Sequence, residues 1–137
     1  MIKIPKMSDR FHLKLGELTF ILAPLNMEQK RELSSQSKIV DGNIIPDVYM
    51  SQWLYLKYGL KGVKGLEDYS GKEYELQKDD SGNLTDDCVS EILMIPQRAD
   101  LMSAAWQLLN GVPEKLLDHS GNKLKGASLE VKSKDPN

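Results

Sequence analysis

The alternation of apolar and polar residues near the N-terminus predicts a β-hairpin. Residues 11–15 alternate with the two-residue period of a strand that has one buried face. Gly16 and Glu17 follow, and a glycine that begins a two-residue loop favours a type II′ turn. Leu18–Leu22 provides the return strand, which ends before Pro24.

A helical period follows the hairpin and predicts two helices. Asn26 and Gln29 have the spacing of a capping box, which places a first helix over about residues 27–37. A turn is expected at residues 41–43. Proline is favoured at the first position of a helix, so a second helix is expected over residues 46–58. Gly59 would end that helix in a left-handed conformation.

Two further helices are predicted in the second half of the chain. Thr85 is a suitable N-cap, and Asp86 and Asp87 would interact favourably with the positive end of the helix that it begins. The last helix is expected over residues 96–110, with Gly111 immediately after it.

The predicted fold class is α+β: an N-terminal β-hairpin, about four helices and a second short hairpin in a single small domain. The second hairpin is expected to pair residues 63–66 with residues 74–76. The globular domain is placed at residues 1–117, and residues 118–137 are expected to form a polar, flexible tail. We find no internal repeat.

Composition adds little to this picture. The chain has 137 residues and a net charge of −2, so it carries no general basic field for nucleic acid or an anionic membrane. No apolar run approaches the ~20 residues that span a bilayer, and the N-terminus lacks the pattern of a signal peptide. A lone cysteine suits a reducing compartment, and we expect a cytosolic protein.

The residues that could carry chemistry favour structural interpretations. Gly59, Gly62 and Gly65 alternate with lysines as in a phosphate-binding loop, but this stretch follows a helix and leads into a strand, the reverse of that motif. Residues 79–87 are acidic but lack the ligand spacing of an EF-hand. Cys88 lies on the expected buried side of a helix, which favours an inert thiol. We predict no catalytic, cofactor-binding or metal-binding residue and no enzymatic activity.

Aromatic residues are the best candidates for binding another protein. On the second predicted helix Tyr49 and Trp53 share a side, whereas Tyr55 points elsewhere. Trp106 lies opposite the apolar side of the last predicted helix. Because tryptophan and tyrosine are enriched at binding hot spots, we assign Tyr49, Trp53, Tyr55 and Trp106 as partner-binding candidates.

The order of elements resembles that of the tail assembly chaperones of bacteriophages with long non-contractile tails. The resemblance rests on the hairpin, the capped helix and four segments spread over residues 11–117. The segments read LKYGLKGVKGL, YSGKEYEL, TDDCVSEIL and LMSAAWQLLNGVP.

That resemblance implies a non-enzymatic protein that binds the phage tape-measure protein and keeps it soluble while the tail tube assembles. It further implies self-association, contact with the major tail protein, location in the host cytoplasm and absence from the mature virion. No cofactor, membrane or specific nucleic acid is implied. One alternative is a structural virion subunit of the head–tail connector or tail-terminator type. Another is a small regulatory or nucleic-acid-binding protein, which would use the cluster of Lys57, Lys61 and Lys64.

Overall fold

The computed structural model describes residues 3–133, and within them four helices and six strands alternate along the chain. The strands are β1 (Asp9–Leu15), β2 (Leu18–Leu22), β3 (Ser37–Val40), β4 (Asn43–Pro46), β5 (Leu60–Lys64) and β6 (Ala127–Ser133). The helices are α1 (Met27–Ser34), α2 (Val48–Gly59), α3 (Asp86–Ile92) and α4 (Arg98–Leu108). The predicted α+β class is confirmed.

The N-terminal hairpin of β1 and β2 is confirmed. The two strands are antiparallel, and Leu15 pairs with Leu18 across the two-residue loop. Gly16 has a φ of 62°, while Glu17 is not in a positive-φ conformation, which fits the predicted type II′ turn. Alternate residues of both strands are buried, so the hairpin forms one wall of the core.

Four strands form one antiparallel sheet in the order β5-β2-β1-β6. Strand β6 pairs with β1 over its whole length, from Asp9↔Ser133 to Leu15↔Ala127. This pairing corrects the predicted domain boundary after residue 117, because residues 127–133 are part of the sheet and Leu124 is buried in the core. The rest of the predicted tail, residues 134–137, lies outside the described residues.

Two predicted helix starts are confirmed at their caps. The side-chain oxygen of Asn26 accepts a hydrogen bond from the Gln29 amide at 2.8 Å, and the Gln29 side chain accepts one from the Asn26 amide at 3.0 Å. Thr85 accepts a hydrogen bond from the Cys88 amide at 3.3 Å and begins α3. Helix α1 is shorter than predicted because the chain enters β3 at Ser37.

Helix α2 differs from the prediction at both ends. Its N-cap is Asp47, whose side chain accepts a hydrogen bond from the Met50 amide, and Pro46 belongs to β4 instead. Gly59 is the last residue of the helix and has no left-handed φ. The chain passes directly from Gly59 into β5, so no turn is needed there.

The second hairpin is present, but at a different place in the chain. Strands β3 and β4 pair across Asp41 and Gly42, which have φ values of 51° and 80°, as a type I′ turn requires. The predicted pairing of residues 63–66 with 74–76 is reduced to an isolated antiparallel bridge between Glu67 and Glu73, and β5 forms its ladder with β2 instead. Only short contacts remain there, including a 2.7 Å hydrogen bond from the Tyr74 amide to the Leu66 carbonyl.

Three loops repeat one five-residue design that the sequence analysis missed. They begin at Asp68, Asp79 and Asp118, and each reads Asp-x-Ser-Gly followed by lysine or asparagine. In each, the aspartate carboxylate accepts hydrogen bonds from the amides two and four residues later. The Asp68 carboxylate also accepts a hydrogen bond from the Ser70 hydroxyl. That bond is the largest cause that lowers the pKa of the Asp68 carboxyl group, and the bonds from backbone amides lower it further. The carboxylates therefore close turns.

The core lies between the sheet and the helices. The inward-facing side chains of β1 and β2 form one cluster with the buried sides of α2, α3 and α4. Among the described residues the only fully buried side chains with a polar group are those of Tyr55 and Cys88. The hydrophobic effect therefore provides most of the stabilisation. Among the strands of residues 3–133, β3 and β4 alone are not part of the four-stranded sheet.

Candidate protein-binding surface

Exposed apolar side chains concentrate on the β3–β4 hairpin and the first turn of α2. We call this surface the hairpin patch; its members are Ile39, Val40, Ile44, Val48, Tyr49 and Met50. Ile39 and Ile44 are 74% and 76% exposed, close to the accessibility of an unfolded chain. Apolar groups clustered in this way mark sites where a protein binds a partner.

The backbone pairing of the hairpin brings two of these residues together, while Val40, opposite Asn43, lies on the other face of the ribbon. Ile39 is directly opposite Ile44, so both side chains lie on the same face of the two-stranded ribbon. Pro46 ends β4 and Val48 begins α2, which continues the apolar surface onto the helix. An isolated two-stranded hairpin is only marginally stable in water, and β3–β4 joins no other strand of the described chain.

The base of the hairpin is held firmly. The Asp47 amide donates a 3.0 Å hydrogen bond to the Gln36 carbonyl, closing the ribbon at its root. The Ser51 hydroxyl donates to the Leu33 carbonyl at 2.9 Å and so connects α2 to α1. Because Leu33 is buried in the core, the root of the hairpin is fixed while its tip extends away from the domain.

A second contact holds α1 and α2 together further from the hairpin. The Tyr58 hydroxyl donates a 2.7 Å hydrogen bond to the Glu32 carboxylate. This bond is the main cause that raises the pKa of Tyr58 to about 12. The Lys57 ammonium lies 5.7 Å from the centre of the Tyr58 ring, within the range of a cation–π contact.

An apolar cavity of about 390 Å³ opens at the root of the hairpin patch. Its apolar walls are formed by Leu33, Pro46, Val48, Trp106 and Leu109. The Val48 side chain belongs to both the cavity and the patch, so the two features adjoin. A bulky apolar side chain of a partner could enter this cavity while its neighbours lie on the patch.

The four predicted aromatic residues form two separate pairs. Tyr49 is 53% exposed, and its ring centre lies 6.5 Å from that of the partly buried Trp53. Tyr55 packs edge-to-face against Trp106 with 6.0 Å between ring centres. Tyr49 therefore lies in the hairpin patch. Trp106 lines the cavity that adjoins the patch.

Tyr55 must be removed from the set of candidate binding residues. Only 1% of its surface is exposed, and burial raises the pKa of its hydroxyl. Tyr55 lies on the side of α2 that faces the core, whereas the exposed Tyr49 lies on a different side of the helix. A partner could not contact its ring without opening the core.

The sequence analysis missed the isoleucines of the hairpin patch. The turn at residues 41–43 was predicted, but the strands that flank it were not. The signal was present, since an Asp-Gly pair between apolar residues is a strong indication of a tight hairpin. Exposure of Ile39 and Ile44 could not be inferred, because it depends on the absence of a covering element in three dimensions.

The other candidate groups have structural roles. Cys88 is buried, with its Sγ atom 3.4 Å from the Tyr74 hydroxyl oxygen. A side chain at Gly65 would lie 2.4 Å from the Glu17 carbonyl oxygen, so that glycine permits close packing of the loop. Among residues 3–133 no cluster of three potential metal ligands occurs.

Comparison with protein-family models, curated proteins and solved structures finds no match for this chain. Within the described part of the chain, no helix is both long enough and apolar enough to cross a bilayer.

Proposed function

We propose that this protein is a tail assembly chaperone that binds a phage tape-measure protein and keeps it soluble during assembly of the tail tube. The observation that carries the proposal is the hairpin patch, where two paired isoleucines remain about three-quarters exposed. The family resemblance of the sequence suggests the identity of the client.

The geometry of the patch suits an apolar helix. A helix presents apolar side chains about every three or four residues along one side, and such a side can lie in an apolar groove. The cavity beside Val48 would receive one bulky side chain, while Ile39 and Ile44 cover the next turn. A tape-measure protein offers many such helical segments.

The β3–β4 ribbon is also suited to a client of variable sequence. Its root is fixed by the Asp47–Gln36 and Ser51–Leu33 hydrogen bonds, whereas within residues 3–133 its strands pair only with each other. A ribbon held at one end can adjust its angle to different helices, as the flexible surfaces of promiscuous binders do. Met50 adds an adaptable thioether side chain beside it.

The proposal is tested by co-expression with the tape-measure protein of the same genome. We expect the wild-type chain to keep the client in the soluble fraction and to co-purify with it. The variant I39S/I44S should lose most of this effect, because it removes the two largest exposed apolar groups of the ribbon.

Ile4→Ser is the matched control. Ile4 is 87% exposed and lies outside the hairpin patch, so the I4S variant removes exposed apolar surface without altering the proposed site. Circular dichroism checks that all variants fold. Equal client binding by I39S/I44S and the wild type would refute the proposed site, and an insoluble client in every case would refute the chaperone function. Recovery of the wild-type chain in purified phage particles would favour a virion subunit instead.

A further inference from the structure

We propose that β6 pairs with β6 of a second copy of this chain, so that two four-stranded sheets form one continuous eight-stranded sheet. The surface is distinct from the hairpin patch, and the inference does not depend on the proposed chaperone function. It follows from the unequal protection of the two edges of the sheet.

The β5 edge is covered by the chain itself. The Lys78 ammonium donates a 2.8 Å hydrogen bond to the Lys61 carbonyl, and the Lys61 ammonium lies 3.4 Å from the Gly82 carbonyl oxygen. The Leu84 amide donates to the Lys57 carbonyl just before the strand. The segment between β5 and α3 therefore lies along this edge and blocks the addition of another strand.

The β6 edge is open among the described residues. No strand in the described part of the chain follows β6 in the sheet, and β6 is seven residues long. The Gly16 amide donates to the Gly126 carbonyl in the same register as the β1–β6 ladder. Because bonded positions alternate along an antiparallel pair, the backbone groups of Leu129 and Val131 point away from β1 and toward the open edge.

A groove of mixed polar and apolar lining lies beside this edge, with Glu114, Lys115 and Lys123 among its residues. A cavity of about 420 Å³ is bounded on the sheet side by Ala127, Leu129 and Val131. Val112, Leu116 and Leu124 form the opposite side. A strand added to β6 would place its own alternate side chains over this groove, which is how strand addition gains affinity beyond its backbone hydrogen bonds.

The charges of β6 select a second copy as the occupant. On the outward face Glu130 and Lys132 are exposed, and their charged atoms are 3.8 Å apart within one chain. Consider an antiparallel pair of β6 strands in which Val131 of one chain lies directly opposite Val131 of the other. In that register Glu130 of each chain lies opposite Lys132 of the other. Both cross-strand pairs then join opposite charges at non-hydrogen-bonded positions, where side chains are closest.

Neighbouring registers lack this complementarity. Centring the pair on Glu130 would place two glutamates opposite each other, and centring it on Lys132 would place two lysines opposite each other. Like charges directly opposite one another destabilise a strand pair. The sequence of β6 thus favours one symmetric register, with Val131 next to its copy on the groove side.

The experiment measures the mass of the purified full-length chain by light scattering over a range of concentrations. The wild type is expected to form dimers. E130K and K132E should each raise the dimer dissociation constant by about tenfold or more, because each single reversal creates two like-charge pairs. The double variant E130K/K132E should restore dimerisation, because each cross-strand pair again joins a positive and a negative side chain, with the two charges exchanged.

Val131→Pro provides a second test and K72E a matched charge-reversal control. The V131P variant removes an amide that bonds to the partner but not to β1, so the fold should persist while the dimer is lost. Lys72 is exposed and lies in the loop that follows β5, so K72E should leave the dimer unchanged. A mass of one chain at all concentrations would overturn the inference. Lys132 would then be a charged residue that prevents the edge strand from pairing with another chain.

A dimer that E130K, K132E and V131P leave unchanged would show that another surface forms it, which also overturns the inference. If V131P abolished client binding while the free wild type remained a single chain, the occupant of the edge would be a client strand. I39S/I44S should bind no client yet still dimerise, so failure of either proposal can be recognised separately.

Discussion

The two hairpins of this protein share a design but differ in what covers them. Both are antiparallel pairs joined by a two-residue turn with glycine in a left-handed conformation, Gly16 in β1–β2 and Gly42 in β3–β4. In β1–β2 every second side chain is buried against the helices. In β3–β4 Ile39, Val40 and Ile44 are exposed, and only Ile45 is partly buried within the described chain. The same local structure therefore supports folding in one place and leaves apolar side chains exposed in the other.

The largest expected difference concerns apolar truncation. Phe20→Ala should lower the free energy of unfolding by about 3–5 kcal/mol, because it opens a cavity in the β1–β2 side of the core. Ile44→Ala should lower it by less than about 1 kcal/mol, since that side chain is already exposed in the folded state. Urea unfolding measures both. A similar loss for both variants would mean that the β3–β4 hairpin packs against the domain.

The turn glycines give a matched test of intermediate size. At both Gly16 and Gly42, no atom lies within 4 Å of the point that a Cβ would occupy, so alanine at either site adds only backbone strain. That strain is about 1–2 kcal/mol for a left-handed residue. G16A should lower the global free energy of unfolding by this amount, because β1–β2 unfolds only with the core.

G42A should change the global value by less than about 0.5 kcal/mol, because β3–β4 can open locally without unfolding the domain. Its client binding should nevertheless weaken, since the patch depends on the paired ribbon. Urea unfolding and client pull-down separate the two effects. Equal global losses for G16A and G42A would show that the hairpins unfold as one unit.

The smallest expected effect is the loss of stability at alkaline pH when Tyr58 ionises and its hydrogen bond to Glu32, which holds α1 to α2, is broken. Glu32 raises the pKa of Tyr58 to about 12, so the hydrogen bond stabilises the fold fully below pH 10 and is lost as the pH rises through about 12. Ultraviolet titration of phenolate should show this tyrosine ionising late. E32Q should move its pKa toward the ordinary value of 10.0, and Y58F should remove the transition. A wild-type Tyr58 that ionises at its ordinary pKa would contradict the contact.

The sequence predicted the parts of the fold that depend on neighbours in the chain. The alternation in β1–β2, the Asn26 capping box and the Thr85 cap are local signals, and each is confirmed. The pairing of β6 with β1 joins the two ends of the chain, and no local signal specifies such a partner. The polar composition of residues 118–126 also concealed the alternation that begins at Ala127.

The candidate site was only partly predictable. Helical spacing correctly separated Tyr49 from Tyr55 but could not tell which of the two sides faces the core. Ile39 and Ile44 lie in four-residue strands, too short for a periodic signal to stand out. Their significance comes from exposure, which is a property of the whole fold.

The most direct test of the central claim is hydrogen exchange of the chain with and without the proposed tape-measure client, read by mass spectrometry. We predict fast exchange across residues 37–50 in the free protein and clear slowing when the client binds. Peptides from β1–β2 should exchange slowly in both states, because they belong to the core. Unchanged exchange at residues 37–50 in a complex that demonstrably forms would contradict the assignment of the hairpin patch as the client-binding surface.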